Sequence, residues 1–150
     1  MTENLEEDYL RLQALLGRER TETLGVVSGR DLMRFAVAAR CPPGQVPLFL
    51  SSLMGWDAGP AEDRLGTDGA GATETRGLPL GEVRLMGAGQ ELEFHAPVTA
   101  ETTIVVHTRL AEVRLKHGRS GPLLIMRILR RFTDETDRPL LTCQESFIAR

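Results

Sequence analysis

A strongly apolar segment, Val46–Asp57 (VPLFLSSLMGWD), constrains the fold of this chain more than any other feature. Its apolar residues recur at helical spacing, at Val46, Phe49, Leu50, Leu53 and Met54. Leu48 and Trp56 widen this surface almost all round, and a helix with so little polar face should be buried. The rest of the chain must therefore wrap around this central helix.

The C-terminal half alternates apolar and polar residues with the period of two that is typical of β-strands. The alternation runs through Leu92–Ala96 and begins again at Ile104. Turns and strands then follow one another: His117–Pro122 as a turn, Leu123–Phe132 as a strand, Thr133–Pro139 as a turn and Leu140–Ile148 as a strand. Such short connections predict an antiparallel meander.

The apolar phase changes within the strand that begins at Ile104. The apolar side is formed by Ile104, Val106, Thr108 and Leu110, and then by Ala111, Val113 and Leu115. An extra residue in one strand of an antiparallel pair produces this change of face. The sequence therefore predicts a β-bulge at this point.

Two further helices are predicted before the central one. Leu5–Leu16 has apolar residues at three- and four-residue spacing, and Gly17 follows it as a stop. After a short strand at Glu22–Val27, Ser28 is a candidate N-cap with Asp31 three residues on. The Pro-rich run Cys41–Gly44 should end this second helix.

The length of 150 residues suits one domain, 1–150. Within it, the Gly-rich segment Asp57–Gly81 (residues 57–81) has no sustained period and is expected to be a flexible loop near a binding surface. The expected fold class is α+β, with a curved sheet around one buried helix.

The composition excludes several functional classes. A net charge of −3 and a pI near 5.7 argue against a general nucleic-acid binder, and no apolar run is long enough to span a membrane. Cys41 and Cys143 form neither a disulfide framework nor a metal-ligand pattern. The expectation is a reduced, cytoplasmic protein without a metal or other cofactor.

Several segments resemble one known family in their order along the chain. They are Leu16–Arg18, Ser28–Asp31 with Phe35 and Ala36, Phe49–Pro60 (FLSSLMGWDAGP), Val83–Pro97 (VRLMGAGQELEFHAP) and Gly118–Leu124 (GRSGPLL). Together they resemble the N-terminal, non-catalytic half of MaoC-like dehydratases and enoyl-CoA hydratases. The resemblance implies a hotdog fold, in which an antiparallel sheet of about five strands wraps around the central helix.

The resemblance also implies a partner. Such halves pair side by side with a second hotdog, which carries a catalytic Asp and His in a D-x-N-P-x-H segment. The pair adds water to, or removes it from, the 2,3 bond of an acyl-CoA or acyl-carrier-protein thioester. In this chain Cys41–Pro47 leads straight into the central helix, so the segment that would hold the Asp and His is missing.

We therefore expect a non-catalytic, acyl-binding subunit that pairs with a catalytic MaoC-like hotdog subunit in a heterodimer or heterotetramer. No residue of this chain is assigned a catalytic role. Phe49, Leu53 and Trp56 could line an acyl tunnel, although plain core packing is the simpler interpretation. His95 could contact the thioester at the partner interface, although a cross-strand polar pair is the simpler interpretation.

Gly87 and Gly89 are also candidates for the substrate site. They interrupt a strand pattern and no helix follows them, so they do not form a nucleotide-binding fingerprint. A bulge or the close approach of a partner explains them better.

Two alternatives remain open. A homodimeric hotdog thioesterase would need an acidic residue such as Asp57 or Glu62, and a binding module would hold an acyl thioester without chemistry. The other polar candidates have simpler interpretations. His107 is interpreted as a sheet-surface residue, the pair Glu112 and His117 as lying on opposite strand faces, and Arg127, Arg130 and Arg131 as one charged strand face.

Overall fold

The computed structural model describes residues 2–42, 49, 62–65, 78–81 and 83–150. Its helices and strands are α1 (Thr2–Gln13), β1 (Glu19–Val26), α2 (Gly29–Ala39), β2 (Leu85–Phe94), β3 (Thr103–Gly118), β4 (Gly121–Thr133) and β5 (Pro139–Ala149), with a short 3-10 turn at Glu62–Arg64. Most of the predicted central helix and of the predicted loop at 57–81 lies outside the described residues.

The five strands form one antiparallel sheet in the order β1-β3-β4-β5-β2. Short turns join β3 to β4 and β4 to β5, as the sequence predicts. The first strand after the central segment, β2, pairs with the last strand of the chain. The five-stranded antiparallel sheet of a hotdog fold is therefore confirmed, and β1 and β2 are its edge strands.

The predicted bulge in β3 is confirmed. The register between β3 and β4 shifts between Leu110 and Glu112, which leaves Ala111 as the extra residue. Ile104, Val106 and Leu110 are buried before the shift, whereas Val113 is buried after it. Ala111 itself is exposed. The bulge therefore keeps the apolar residues of both halves of the strand on one face of the sheet, the inner face.

The ends of α2 follow local side-chain chemistry. The Ser28 hydroxyl accepts a hydrogen bond from the Asp31 N–H at 3.0 Å and donates one to the Asp31 carboxylate at 2.8 Å, so the predicted N-cap is confirmed. The helix ends at Arg40, which has a left-handed φ of 53°. The Cys41 N–H then bonds back to the Ala36 carbonyl at 2.9 Å, which closes the last turn before the prolines.

Two hydrophobic clusters cover the inner face of the sheet. The first, named here the Phe49 core, has as buried members Val27, Phe49, Ile104, Val106, Phe132, Leu140, Leu141 and Cys143. The second, the α1 core, has Leu5, Leu12, Leu110, Val113, Leu124, Met126, Ile128 and Ala149. The first helix is thus part of the interior and lies over β3 and β4.

The end of the long connection before β2 is also packed. Leu78 and Leu80 are half-buried against the α1 core. The Gly81 N–H lies 3.1 and 3.3 Å from the two carboxylate oxygens of Asp8, which is completely buried on α1 and also bonds Arg11. This backbone-to-carboxylate contact fixes the start of β2 to the first helix. None of the described helices is long and apolar enough to span a membrane.

Candidate functional site

Phe49 is the one predicted tunnel residue that the structure describes. It is helical, only 3% exposed, and belongs to the Phe49 core. Its ring meets the Phe35 ring edge-on, with centroids 5.6 Å apart and planes at 86°, a favourable geometry for aromatic pairs. The Phe49 ring therefore packs between α2 and the sheet. Leu53 and Trp56 lie outside the described residues.

Gly87 and Gly89 lie on the edge strand β2, on either side of a register irregularity at Ala88. Gly89 has a φ of 132°, a conformation that side chains with a Cβ rarely adopt. A Cβ added at either glycine would have no atom within 4 Å. These glycines thus form a bulged, open stretch of the sheet edge that another chain or a ligand could approach closely.

His95 follows β2 directly. Its Nε2 lies 2.7 Å from the Thr142 hydroxyl on β5, and its Nδ1 lies 4.0 Å from a carboxylate oxygen of Glu93. The next residue, Ala96, packs against the Phe49 core. Alternation along the chain therefore directs the imidazole of His95 away from that core. This geometry is a cross-strand polar pair, and a substrate contact remains a prediction.

The basic cluster expected on β4 is divided between the two faces of the sheet. Arg127 pairs with Glu112 at 3.4 Å and Arg131 with Asp137 at 3.0 Å, both on the outer face. Arg130 lies on the inner face instead, is only 5% exposed, and its guanidinium lies 4.9 Å from the centre of the Phe132 ring. Interpreting the three arginines as one charged face was wrong for Arg130, because successive strand residues point to opposite faces.

Arg130 is one of several polar residues on the inner face that the sequence interpretation missed. Thr108 on β3 pairs with Arg130 on β4. One pair further along the sheet, Glu145 on β5 pairs with Ile128 on β4 and with Gln90 on β2. Glu145 is 5% exposed, and the Gln90 amide lies 3.5 Å from its carboxylate. Four polar residues thus cross the sheet between the two hydrophobic cores and are named here the polar row: Thr108, Arg130, Glu145 and Gln90. The alternation Met126, Ile128, Arg130, Phe132 on β4 is the signal that could have placed Arg130 inside.

His107 lies on the outer face, as expected, but its side chain is only 14% exposed. Its Nδ1 lies 3.3 Å from the Glu19 carboxylate and 3.2 Å from the Thr21 hydroxyl, both on β1. Its Nε2 lies 3.6 Å from Asp137 and 3.4 Å from the Thr133 hydroxyl. His107 therefore joins the edge strand β1 to the β4–β5 turn, on the face opposite the two cores.

Glu112 and His117 do not form an acid–base pair. Glu112 hydrogen-bonds Arg114 and lies near Arg127, and these guanidinium groups hold the pKa of its carboxyl below the ordinary value. His117 is exposed beside the tight turn between β3 and β4. Among the described side chains, no three His, Cys, Asp or Glu residues come together as a set of metal ligands.

Comparison with known proteins identifies the family. Residues 14–143 match the family model described as FAS1-like, dehydratase domain region, and the chain belongs to this family. No curated protein is a sequence match. The fold is that of a MaoC-like hotdog protein, as the resemblance implied.

Three solved structures illustrate this likeness. The MaoC-like dehydratase from Rhodospirillum rubrum is 14% identical, with a TM-score of 0.59 over 91% of this chain and 94% of that chain. The ChsH1-ChsH2 complex from Mycobacterium tuberculosis is 10% identical, with a TM-score of 0.54 over 99% and 92%. The fluoroacetyl-CoA thioesterase FlK is 16% identical, with a TM-score of 0.54 over 89% and 86%. At these identities the likeness establishes the hotdog fold alone.

Proposed function

We propose that this chain is the non-catalytic, acyl-binding subunit of a MaoC-like (3R)-hydroxyacyl dehydratase or enoyl hydratase, and that a second hotdog subunit supplies the catalytic Asp and His. The observation that carries the proposal is the family match over residues 14–143, combined with the direct passage from α2 through Cys41–Pro47 into the central segment. The segment that would hold the acid and base in a catalytic relative is missing there.

The positions of the histidines support this proposal. Hydration requires a base within hydrogen-bond reach of the water that attacks the thioester's double bond. His107, which has carboxylates at both ring nitrogens, lies on the outer face of the sheet, opposite the buried Phe49. His95 is bonded to Thr142, and His117 lies beside an exposed turn. The chemistry is therefore assigned to the partner.

The edge strand β2 is the proposed partner interface. Among the described residues no strand lies on its outer side, and Gly87 and Gly89 leave open space along it. A partner strand can approach such an edge closely and continue the sheet. The acyl chain would then enter along the central helix, where Phe49, Leu53 and Trp56 are the proposed lining and His95 borders the interface.

Co-purification with the hotdog protein of the same genome that carries D-x-N-P-x-H tests the interface. Gly87→Trp should leave the isolated chain folded, because a side chain there meets no atom, but should abolish co-purification. Ala111→Trp is the matched control, since it adds the same indole at an exposed position of the internal strand β3. Equal pairing of both variants with the partner would overturn the β2 interface.

Activity measurements test whether hydration requires the catalytic partner subunit. Hydration of trans-2-octenoyl-CoA should require both subunits, and free thiol release from octanoyl-CoA should stay at the background rate for this chain alone. Hydration by the isolated chain would refute a non-catalytic role. Thiol release by the isolated chain would instead support the thioesterase alternative, for which the named residue is Asp57.

A further inference from the structure

A cavity lies on the inner face of the sheet, beneath the turn that connects α1 to β1. Its volume is about 210 Å³. Its apolar wall consists of Leu15 from that turn, Leu78 from the segment before β2, and Leu110 and Ile128 from the sheet. Leu110 and Ile128 are buried members of the α1 core, and no described member of the Phe49 core lines the cavity. The described apolar wall of the cavity therefore belongs with the α1 core.

The charged residues around this cavity are predominantly basic on its own side of the sheet. Arg18 lies in the connecting turn, and Arg20 shares the inner face with Thr108, its partner in the β1–β3 register. Thr108 in turn pairs with Arg130 of the polar row. Arg109 of β3 is also in the lining, so three arginines line the cavity, and Arg130 follows on the next strand.

Among the described residues of the lining, Glu19 is the acidic one, and its carboxylate is turned toward His107. The Glu19 carboxylate lies 3.3 Å from Nδ1 of His107, and His107 is on the outer face because it is adjacent to Thr108 in β3. The negative charge of Glu19 is thus held on the far side of the sheet. A ligand in the cavity would meet apolar walls and guanidinium groups.

We propose that this cavity binds the free carboxylate of a medium-chain alkanoic acid. Guanidinium groups match carboxylates in charge and in their two-pronged hydrogen-bond geometry, and the leucine and isoleucine wall suits an alkyl chain. An apolar cavity of about 150 Å³ holds one benzene ring, so this one accommodates an alkyl chain of roughly six to eight carbons. A thioester carries no charge at its carbonyl, so the site selects the free acid over the acyl thioester.

Calorimetric titration of the full chain with sodium octanoate tests the proposal. We expect saturable binding that weakens about tenfold or more in R18Q/R20Q, the size of effect expected when charged hydrogen bonds are lost. Arg114→Gln removes a guanidinium from the outer face of β3 and is the matched control, which should bind octanoate normally. Octan-1-ol should bind at least about tenfold more weakly than octanoate.

A second pair of variants tests the position of the site. Leu15→Trp should fill the cavity and abolish octanoate binding, whereas Leu10→Trp, on a side chain that is 64% exposed on α1, should not affect it. Circular dichroism tests whether each variant is folded. If Leu15→Trp is unfolded, the comparison of R18Q/R20Q with the wild type still tests the proposal.

Three outcomes would overturn the proposal: no octanoate binding, equal affinity for octanol, or an unchanged affinity in R18Q/R20Q. Displacement of octanoate by inorganic phosphate would identify an anion site without alkyl selectivity, and would also overturn it. Octanoyl-CoA should not displace octanoate, and this result separates the cavity from the proposed tunnel.

Discussion

Truncation of Phe49 is the most direct test of how the central segment is held in this fold. The ring is 3% exposed, lies in the Phe49 core and meets the Phe35 ring edge-on at 5.6 Å. Removing a buried phenylalanine ring costs about 3–5 kcal/mol, because both transfer free energy and cavity formation oppose folding. The free energy of unfolding of such domains is only about 5–15 kcal/mol. Phe49→Ala should therefore remove a large share of the stability.

Urea unfolding followed by circular dichroism measures this loss. Phe94→Ala is the matched control, since the same ring on β2 is 39% exposed and its removal should cost at most about two thirds as much. All variants are compared at one protein concentration, because association would shift the midpoint. The m-value should stay constant, so that the change in midpoint reports stability alone.

A double-mutant cycle separates the aromatic contact from general burial. Phe35→Leu and Phe49→Leu keep most of the apolar volume, and their coupling free energy should be about 0.5–1.5 kcal/mol. A coupling near zero would mean that the edge-on contact contributes no specific energy. If Phe49→Ala costs no more than Phe94→Ala, the central segment is not anchored at this position, and the reasoning on the buried helix fails.

Three further predictions concern stability. Deleting Ala111 should cost less than about 2 kcal/mol in urea unfolding, because Glu112 would then follow Leu110 in regular alternation and Val113 would keep its inward position; a loss of about 3 kcal/mol or more would contradict this. Asp8→Ala should cost about 1.5–3 kcal/mol and speed hydrogen exchange at the Gly81 N–H, which loses its carboxylate partner; unchanged exchange would show that the contact does not hold the segment. In Asp134, hydrogen bonds led by the Thr136 hydroxyl lower the carboxyl pKa below its ordinary value of 3.8. The stability difference between wild type and Asp134→Ala should therefore be full above that value and disappear as the pH falls through the lowered pKa, and a pH-independent difference would refute the assignment.

Features that depend on neighbouring residues could be predicted from the sequence. The change of apolar phase that places the bulge at Ala111 involves a few consecutive residues of one strand, and the Ser28 cap needs only Asp31 three residues away. The pairing of β2 with β5 could not be predicted in this way. It joins Leu85–Phe94 to the last strand of the chain, and nothing in either segment specifies the other.

The same distinction between local and long-range features applies to the site residues. The polar pairing of His95 was anticipated because the alternation of β2 places it beside charged residues. The environment of His107 was not, since Glu19, Asp137 and Thr133 come from three separate parts of the chain. The inward position of Arg130 could be predicted from the alternation of β4. The sequence interpretation instead grouped it with Arg127 and Arg131 because all three are basic.

The length of β3 explains why the inner face needs two cores. A strand of 16 residues extends roughly 50 Å, whereas a helix of about twelve residues covers only ~18 Å. One helix of that length cannot cover such a strand, and α1 packs over the half that follows the bulge. Polar side chains occur on the inner face at the junction between the Phe49 core and the α1 core. The polar row and the 210 Å³ cavity both lie along this junction, which makes the cavity a consequence of how the sheet is covered.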